Sequence, residues 1–135
     1  MHALRQAACY GVGLMAEKGA GSYAEISNDC LQGLKVAIEQ PVPANEKKSK
    51  VKQYYHARDN AVSALGKIIK FQHGTVDPNV YVPHWISMLP LQHDADESKI
   101  QNEILASLIE TQPVLVLGQS SERLEKIILI LGEVL

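Results

Sequence analysis

The sequence is poor in aromatic residues, with one Trp, one Phe and five Tyr in 135 positions. Strands favour aromatic and β-branched side chains, so this scarcity argues against a β-sandwich or barrel. Charge of one sign is lacking too. A net charge of −2 gives no field that could hold a phosphate backbone, so no nucleic-acid partner is expected. Long hydrophobic runs are missing. The stretch "IILILGEVL" at 127–135 is interrupted by Glu133 and falls well short of the roughly 20 residues that cross a membrane. The first residues, "MHALRQAAC", contain no apolar core of the kind a signal peptide needs. Cysteine is limited to Cys9 and Cys30, both inside apolar helical patterns. That reads as two reduced, buried thiols rather than a disulfide framework.

Catalytic and metal signatures are also missing. His2, His56, His73, His84 and His93 form no H-x-x-x-H or H-x-x-E-H pair, and neither cysteine has a C-x-x-C partner, so no metal site is expected. "GVGLMAEKGAG" opens with G-x-G but sits within a helical pattern with no strand before it. "GQSSE" at 118–122 lacks the G-x-S-x-G spacing of a nucleophile elbow. These absences point away from an enzyme and from any cofactor.

What is present is helix. Leu4, Ala8, Val12, Met15 and Ala16 make an apolar stripe over residues 3–18, stopped by Gly19 and Gly21. Ser22-x-x-Glu25 reads as a capping box opening a helix that carries Ile26, Cys30, Leu34 and Ile38 and ends before Pro41. The polar run "ANEKKSKVK" reads as a loop. Lys residues there oppose the dipole of a helix start, and a basic signal is the less favoured reading of Lys47, Lys48, Lys50 and Lys52. A stripe then runs from Val51 to Ile69. Asp77-Pro78 supplies an N-cap and a proline at the first helical position for a helix with Val82, Trp85, Ile86 and Leu89. Trp85 reads as core, with a surface anchor as the alternative. Asp94-x-x-Glu97 resembles a second capping box, followed by Ile100, Ile104, Leu105 and Leu108. "VLVLGQ" reads as an apolar connector, and Ser121 as the cap of a last helix. About six helices result, each with one apolar side that needs a neighbour.

Two stretches share a frame. "RQAACYGVG" at 5–13 and "RDNAVSALG" at 58–66 both read Arg, two residues, Ala, four residues, Gly. "QNEILASLI", starting at Gln101, is a third copy that has lost the Arg and the small residues. Arg5, Arg58 and Gln101 stand 53 and 43 residues apart. The longer interval contains the extra segment "PVPANEKKSK", and without it both periods are near 43. A helical-pair period of about 40–47 residues is that of HEAT and armadillo solenoids. Glycine inside a helix costs about 1 kcal/mol relative to alanine, so its reuse at one register implies close helix packing.

"LRQAACYGVGLMA" and "ARDNAVSALGKII" resemble the second helix of a HEAT repeat, and "VPHWISMLPLQHDAD" resembles the first helix and its acidic turn. The ordered segments "GKIIKF", "VPHWISMLPL" and "LIETQPVLVLG" resemble the C-terminal part of the importin-β (karyopherin-β) superfamily, in its beta-3 type. The resemblance implies an all-α solenoid of antiparallel HEAT helix pairs over 1–135. It would contain the second helix of one repeat, two full pairs and the first helix of the next. Residues 41–52 would be a basic insertion between helices. It implies a fragment of a nuclear transport receptor that shuttles between cytoplasm and nucleus. Such a receptor binds protein cargo, the GTPase Ran and the Phe-Gly motifs of nucleoporins through the full-length parent. A generic HEAT scaffold, like those that hold phosphatases, is the alternative.

In that frame Gln6, Tyr10, Asp59, Ser63, Lys67 and Asn102 are candidates for a partner-binding concave face. Arg5 and Arg58 are expected to form an inter-repeat ladder with Asp94. A solenoid cut from its neighbours exposes apolar ends, so the fragment is expected to self-associate.

Overall fold

The computed structural model describes residues 1–133. Val134 and Leu135, which end the last apolar stretch, lie outside the described residues. The described chain is an all-α, HEAT-like solenoid of seven helices without strands. In order they are α1 (His2–Lys18), α2 (Ser27–Glu39), α3 (Lys48–Phe71), α4 (Pro78–Ser87), α5 (Ala95–Thr111), α6 (Pro113–Leu117) and α7 (Leu124–Gly132). Short 3₁₀ turns at Ala20–Ile26 and His73–Thr75 join α1 to α2 and α3 to α4.

α3 is the axis of the fold, packing against α1, α2, α4 and α5. Its sequence explains this position, because it carries two apolar faces. Ala61, Ala64 and Ile68 meet Cys9, Ala16, Tyr23, Cys30, Leu34 and Ala37 from the N-terminal side. Val62, Leu65 and Ile69 meet Val82, Trp85, Ile86, Ile104, Leu105, Val116, Ile127 and Ile130 on the other. A helix that is apolar on two sides must be buried on both. Each fully buried Leu, Ile or Trp contributes about 1.5–3 kcal/mol from removal of its surface from water.

The repeated glycines mark where α1, α3 and α5 approach. A β-carbon on Gly13 would lie 3.0 Å from Lys67 Cδ and 3.5 Å from Ala64 Cα, both on α3. One on Gly66 would collide with the Gln101 amide of α5 and sit 2.7 Å from Trp85 Nε1 of α4. The same register therefore serves the same purpose twice.

Local chemistry differs from the sequence expectation at several joints. α1 ends at Gly19, which keeps a right-handed conformation; Ala20, at φ 47°, makes the turn. Ser22 lies inside a 3₁₀ turn rather than capping α2, and α2 starts at Ser27 without a side-chain cap. Lys48, Lys50 and Lys52 belong to the first turns of α3, with Lys47 at its N-cap. The link is therefore shorter than the expected 41–52 segment, and Lys50 makes an exposed ion pair with Glu46 at 3.6 Å. Val114–Leu117 is helical, not a connector. Ser121 adopts φ 55° in the turn before α7, whose N-cap is Arg123. The Arg123 guanidinium donates to Val116 O at 2.7 Å and Leu115 O at 2.8 Å, satisfying carbonyls of α6 instead. Ala8 is exposed, whereas Ala61, its counterpart in the repeat, is fully buried. Asp77 does cap α4, accepting from Asn79 N at 3.0 Å, and Trp85 is a core residue.

Candidate functional site

The polar residues along α3 form a hydrogen-bonded network with α1 and α5, buried at Asp59, Asn60, Ser63, Lys67, Glu97 and Gln101 and half-buried at Gln6 and His56. α1 and α3 run side by side, with Gln6 Nε2 donating to Asn60 Oδ1 at 3.2 Å and Gln72 Nε2 donating to Ala16 O at 3.1 Å. α5 follows on the far side of α3. Asp59 Oδ2 accepts the amides of His93 at 2.7 Å and Asp94 at 3.1 Å. Asp94 Oδ2 in turn receives His56 Nε2 at 2.8 Å and Asn60 Nδ2 at 2.9 Å, while its Oδ1 caps α5 through Glu97 N at 3.1 Å. Ser63 donates to Glu97 and accepts from Gln101 Nε2 at 2.9 Å. Trp85 Nε1 closes the chain of bonds onto Gln101 Oε1 at 2.9 Å. Lys67 Nζ lies 3.2 Å from Glu97 Oε2, with the Tyr10 ring over it at 5.2 Å.

Electrostatics follow from burial and partners. Burial pushes the Asp59 carboxyl above its ordinary value, against the His93 and Asp94 amides and Arg58, which favour the charged form. Burial acts the same way on Asp94 but is outweighed. The Glu97 amide, Asn60 and His56 hold Asp94 below the usual carboxylate range. A depressed folded value makes the Asp94 contribution present above its unfolded value near ~4 and lost as the pH falls through the folded one. Asp94→Ala should therefore cost about 1–2 kcal/mol at neutral pH, the range of a helix N-cap. That difference should shrink in acid, as read from urea unfolding at matched pH.

The predicted partner-facing residues divide. Asp59 is 4% exposed, Ser63 1% and Lys67 5%, so these three are internal and cannot meet a partner directly. Gln6 and Asn102 are half-buried, and Tyr10 is 42% exposed. The expected Arg5–Arg58–Asp94 ladder does not form among the described residues. Arg5 meets His2 Nδ1 at 3.3 Å, and Asp94 meets His56 and Asn60 instead. Sequence reading missed His56, Asn60, Glu97 and Gln101. The signal was there as two polar stripes at helical spacing, 56/59/60/63/67 on α3 and 94/97/101 on α5.

Two surface features remain. A cleft of about 270 Å³ opens between α2 and α4, lined by Leu31, Leu34, Ile38, Leu65, Val80 and Tyr81. A shallow groove of about 720 Å³ runs along α5 between the turn at Pro90–His93 and the end of α7 at Leu131 and Glu133, and Asn102 lines it. Asn102 Oδ1 is buried and has no hydrogen-bond partner among the described residues. No helix of the described chain is long and apolar enough to cross a membrane.

The relationship to known proteins fits this architecture. The chain is 28% identical to importin subunit beta-3 of Saccharomyces cerevisiae over 120 residues, 87% of this chain and 10% of that protein. It is 35% identical to a probable importin-5 homologue of Dictyostelium discoideum over 100 residues, 72% of this chain and 9% of that protein. The chain is related to the importin-β family. No family model matches it. The importin-β relative described here spans about a tenth of the length of these two proteins. Its buried polar network joins α3 to α1 and α5.

Proposed function

We propose that this chain is a segment of a nuclear transport receptor, working by binding and not by bond chemistry. The parent would carry protein cargo through nuclear pores under the control of Ran, shuttling between cytoplasm and nucleus. The observation that carries this reading is the coincidence of importin-named relatives with an apolar cleft between successive outer helices. The α2–α4 cleft has room for an aromatic ring rather than a drug-sized ligand, and its apolar walls suit a Phe-Gly motif. Lys35, Glu39 and His84 at its edge offer hydrogen bonds to an extended peptide backbone. On the inner side, Gln6, Tyr10 and Asn102 are the candidates for cargo or Ran contact. Asp59, Ser63 and Lys67 would instead fix the angle between α3 and α5, and so the local curvature through which distant sites could be coupled.

A pull-down on immobilised Phe-Gly repeat peptide tests the reading. The chain should be captured, and Val80→Glu should bind about tenfold more weakly, because Val80 lines the cleft yet is 58% exposed and not needed for folding. Equal capture of the variant would remove the cleft from the proposal. No capture of this chain or of a longer one containing it would remove the receptor reading and leave the generic scaffold.

A further inference from the structure

The cleft between α2 and α4 carries charges that its apolar walls do not explain. Lys35 and Glu39 both line it from α2, four residues apart, and both are exposed. Four residues of helix advance about 6 Å, so opposite charges stand one turn apart along the cleft. They do not neutralise each other, since no ion pair joins them among the described residues. A lysine four residues before a glutamate is also the weaker order for such a pair. The backbone reinforces the negative end. Glu39 is the last residue of α2, whose last turn holds no basic side chain. Pro41 and Pro43 follow and have no N–H to offer the terminal carbonyls. The helix dipole therefore adds to Glu39, and a cation is the charge that suits this end. From the other wall, α4 contributes Val80, Tyr81 and His84 but no carboxylate and no ammonium.

The inference drawn from this pattern rests on the reading that the cleft takes a phenylalanine side chain. Side chains of an extended peptide alternate, and residues two apart lie about 6.6 Å apart on one face. With the ring turned toward the buried Leu34 and Leu65, the residues before and after it turn toward the edge. Their spacing is close to that of Lys35 and Glu39. We propose that the cleft selects a phenylalanine flanked by one acidic and one basic residue. The acidic flank lies over Lys35 and the basic flank over Glu39. The order of the two charges then fixes the direction in which the peptide runs along α2.

Fluorescence anisotropy with the whole chain and short labelled peptides tests it, at pH 8 and low salt. The peptides share a Gly/Ser background and centre on Ser-Phe-Gly, Asp-Phe-Lys, Asp-Phe-Asp or Lys-Phe-Lys. The chain should bind Asp-Phe-Lys about fivefold more tightly than either like-charged peptide, the scale of two exposed charge contacts. Salt should erase that preference. Lys35→Glu should shift the preference to Lys-Phe-Lys, and Glu39→Lys should shift it to Asp-Phe-Asp. Both positions are exposed, so neither change reaches the core. Equal binding of all four peptides would overturn the inference and leave the cleft as a site for phenylalanine alone. Charge variants that keep the wild-type order of preference would do the same. Failure to bind any of the four, Ser-Phe-Gly included, would remove the phenylalanine reading of the cleft and this inference with it.

Discussion

Replacing Gly66 by alanine should lower the midpoint of thermal unfolding by roughly 10 °C, a loss of about 3 kcal/mol for a domain of this size. A methyl group there meets the Gln101 amide and lies 2.7 Å from Trp85 Nε1. Gln101 cannot yield freely, since it accepts from the Trp85 indole and donates to Ser63. Moving it strands a buried N–H, at about 1–3 kcal/mol. Holding it in place forces α3 and α5 apart, an overpacking cost of about 1–3 kcal/mol. The better helix propensity of alanine returns about 1 kcal/mol and does not change the sign. Shortening Gln101 to alanine in the same chain should recover part of the loss, so the two substitutions should be strongly non-additive. Gly33→Ala is the control. It sits inside α2 with nothing within 4 Å of the added carbon, so it should be neutral or stabilising by up to about 1 kcal/mol.

The Gly66 contact also shows what the sequence made legible. The frame shared by residues 5–13 and 58–66 led correctly to a helical solenoid and to close packing at Gly13 and Gly66. Apolar periodicity located α1, α4 and α5 closely, because each of those helices buries an apolar stripe and leaves another side polar or exposed. Their caps were legible only where the side chain had no better partner. Asp77 and Asp94 cap as expected, whereas Glu97, which a full capping box would turn back on Asp94, reaches across to Ser63 and Lys67. The same cross-helix bonding hid the candidate site. Asp59, Ser63 and Lys67 are polar residues on a helix, and pattern alone places such residues in water. They are buried because α5 sits with Glu97 and Gln101 beside Ser63, at separations of 34 and 38 residues, not at the 43-residue step of the repeat. That offset is a tertiary fact. It depends on the short reversal between α4 and α5, where Asp59 holds the backbone at His93 and Asp94.

Glu97→Ala should cost about 3–5 kcal/mol, the usual penalty for leaving a buried charge without its partner. Lys67 and Glu97 have side chains only 6% exposed, and their charged groups stand 3.2 Å apart. With the carboxylate gone, Lys67 keeps only the Tyr10 ring at 5.2 Å, worth at most about 2 kcal/mol as a cation–π contact. Lys67→Met leaves the carboxylate behind instead, still bonded to Ser63, and should be costly at neutral pH. The double variant Lys67→Met with Glu97→Leu removes both charges and fills the space. It should return close to wild-type stability, since well-packed apolar replacements of a buried ion pair are often neutral or stabilising. Urea unfolding of the four proteins at neutral pH reads all of this. If the double variant were no more stable than the worse single one, the pair would not be acting as a unit. If it matched the wild type in stability while the His56–Asp94 clasp loosened, as read from protection of the α5 amides against hydrogen exchange, the ion pair would be setting helix register rather than stability. That second pattern is the one expected of a charge pair placed where a solenoid must hold one angle between α3 and α5.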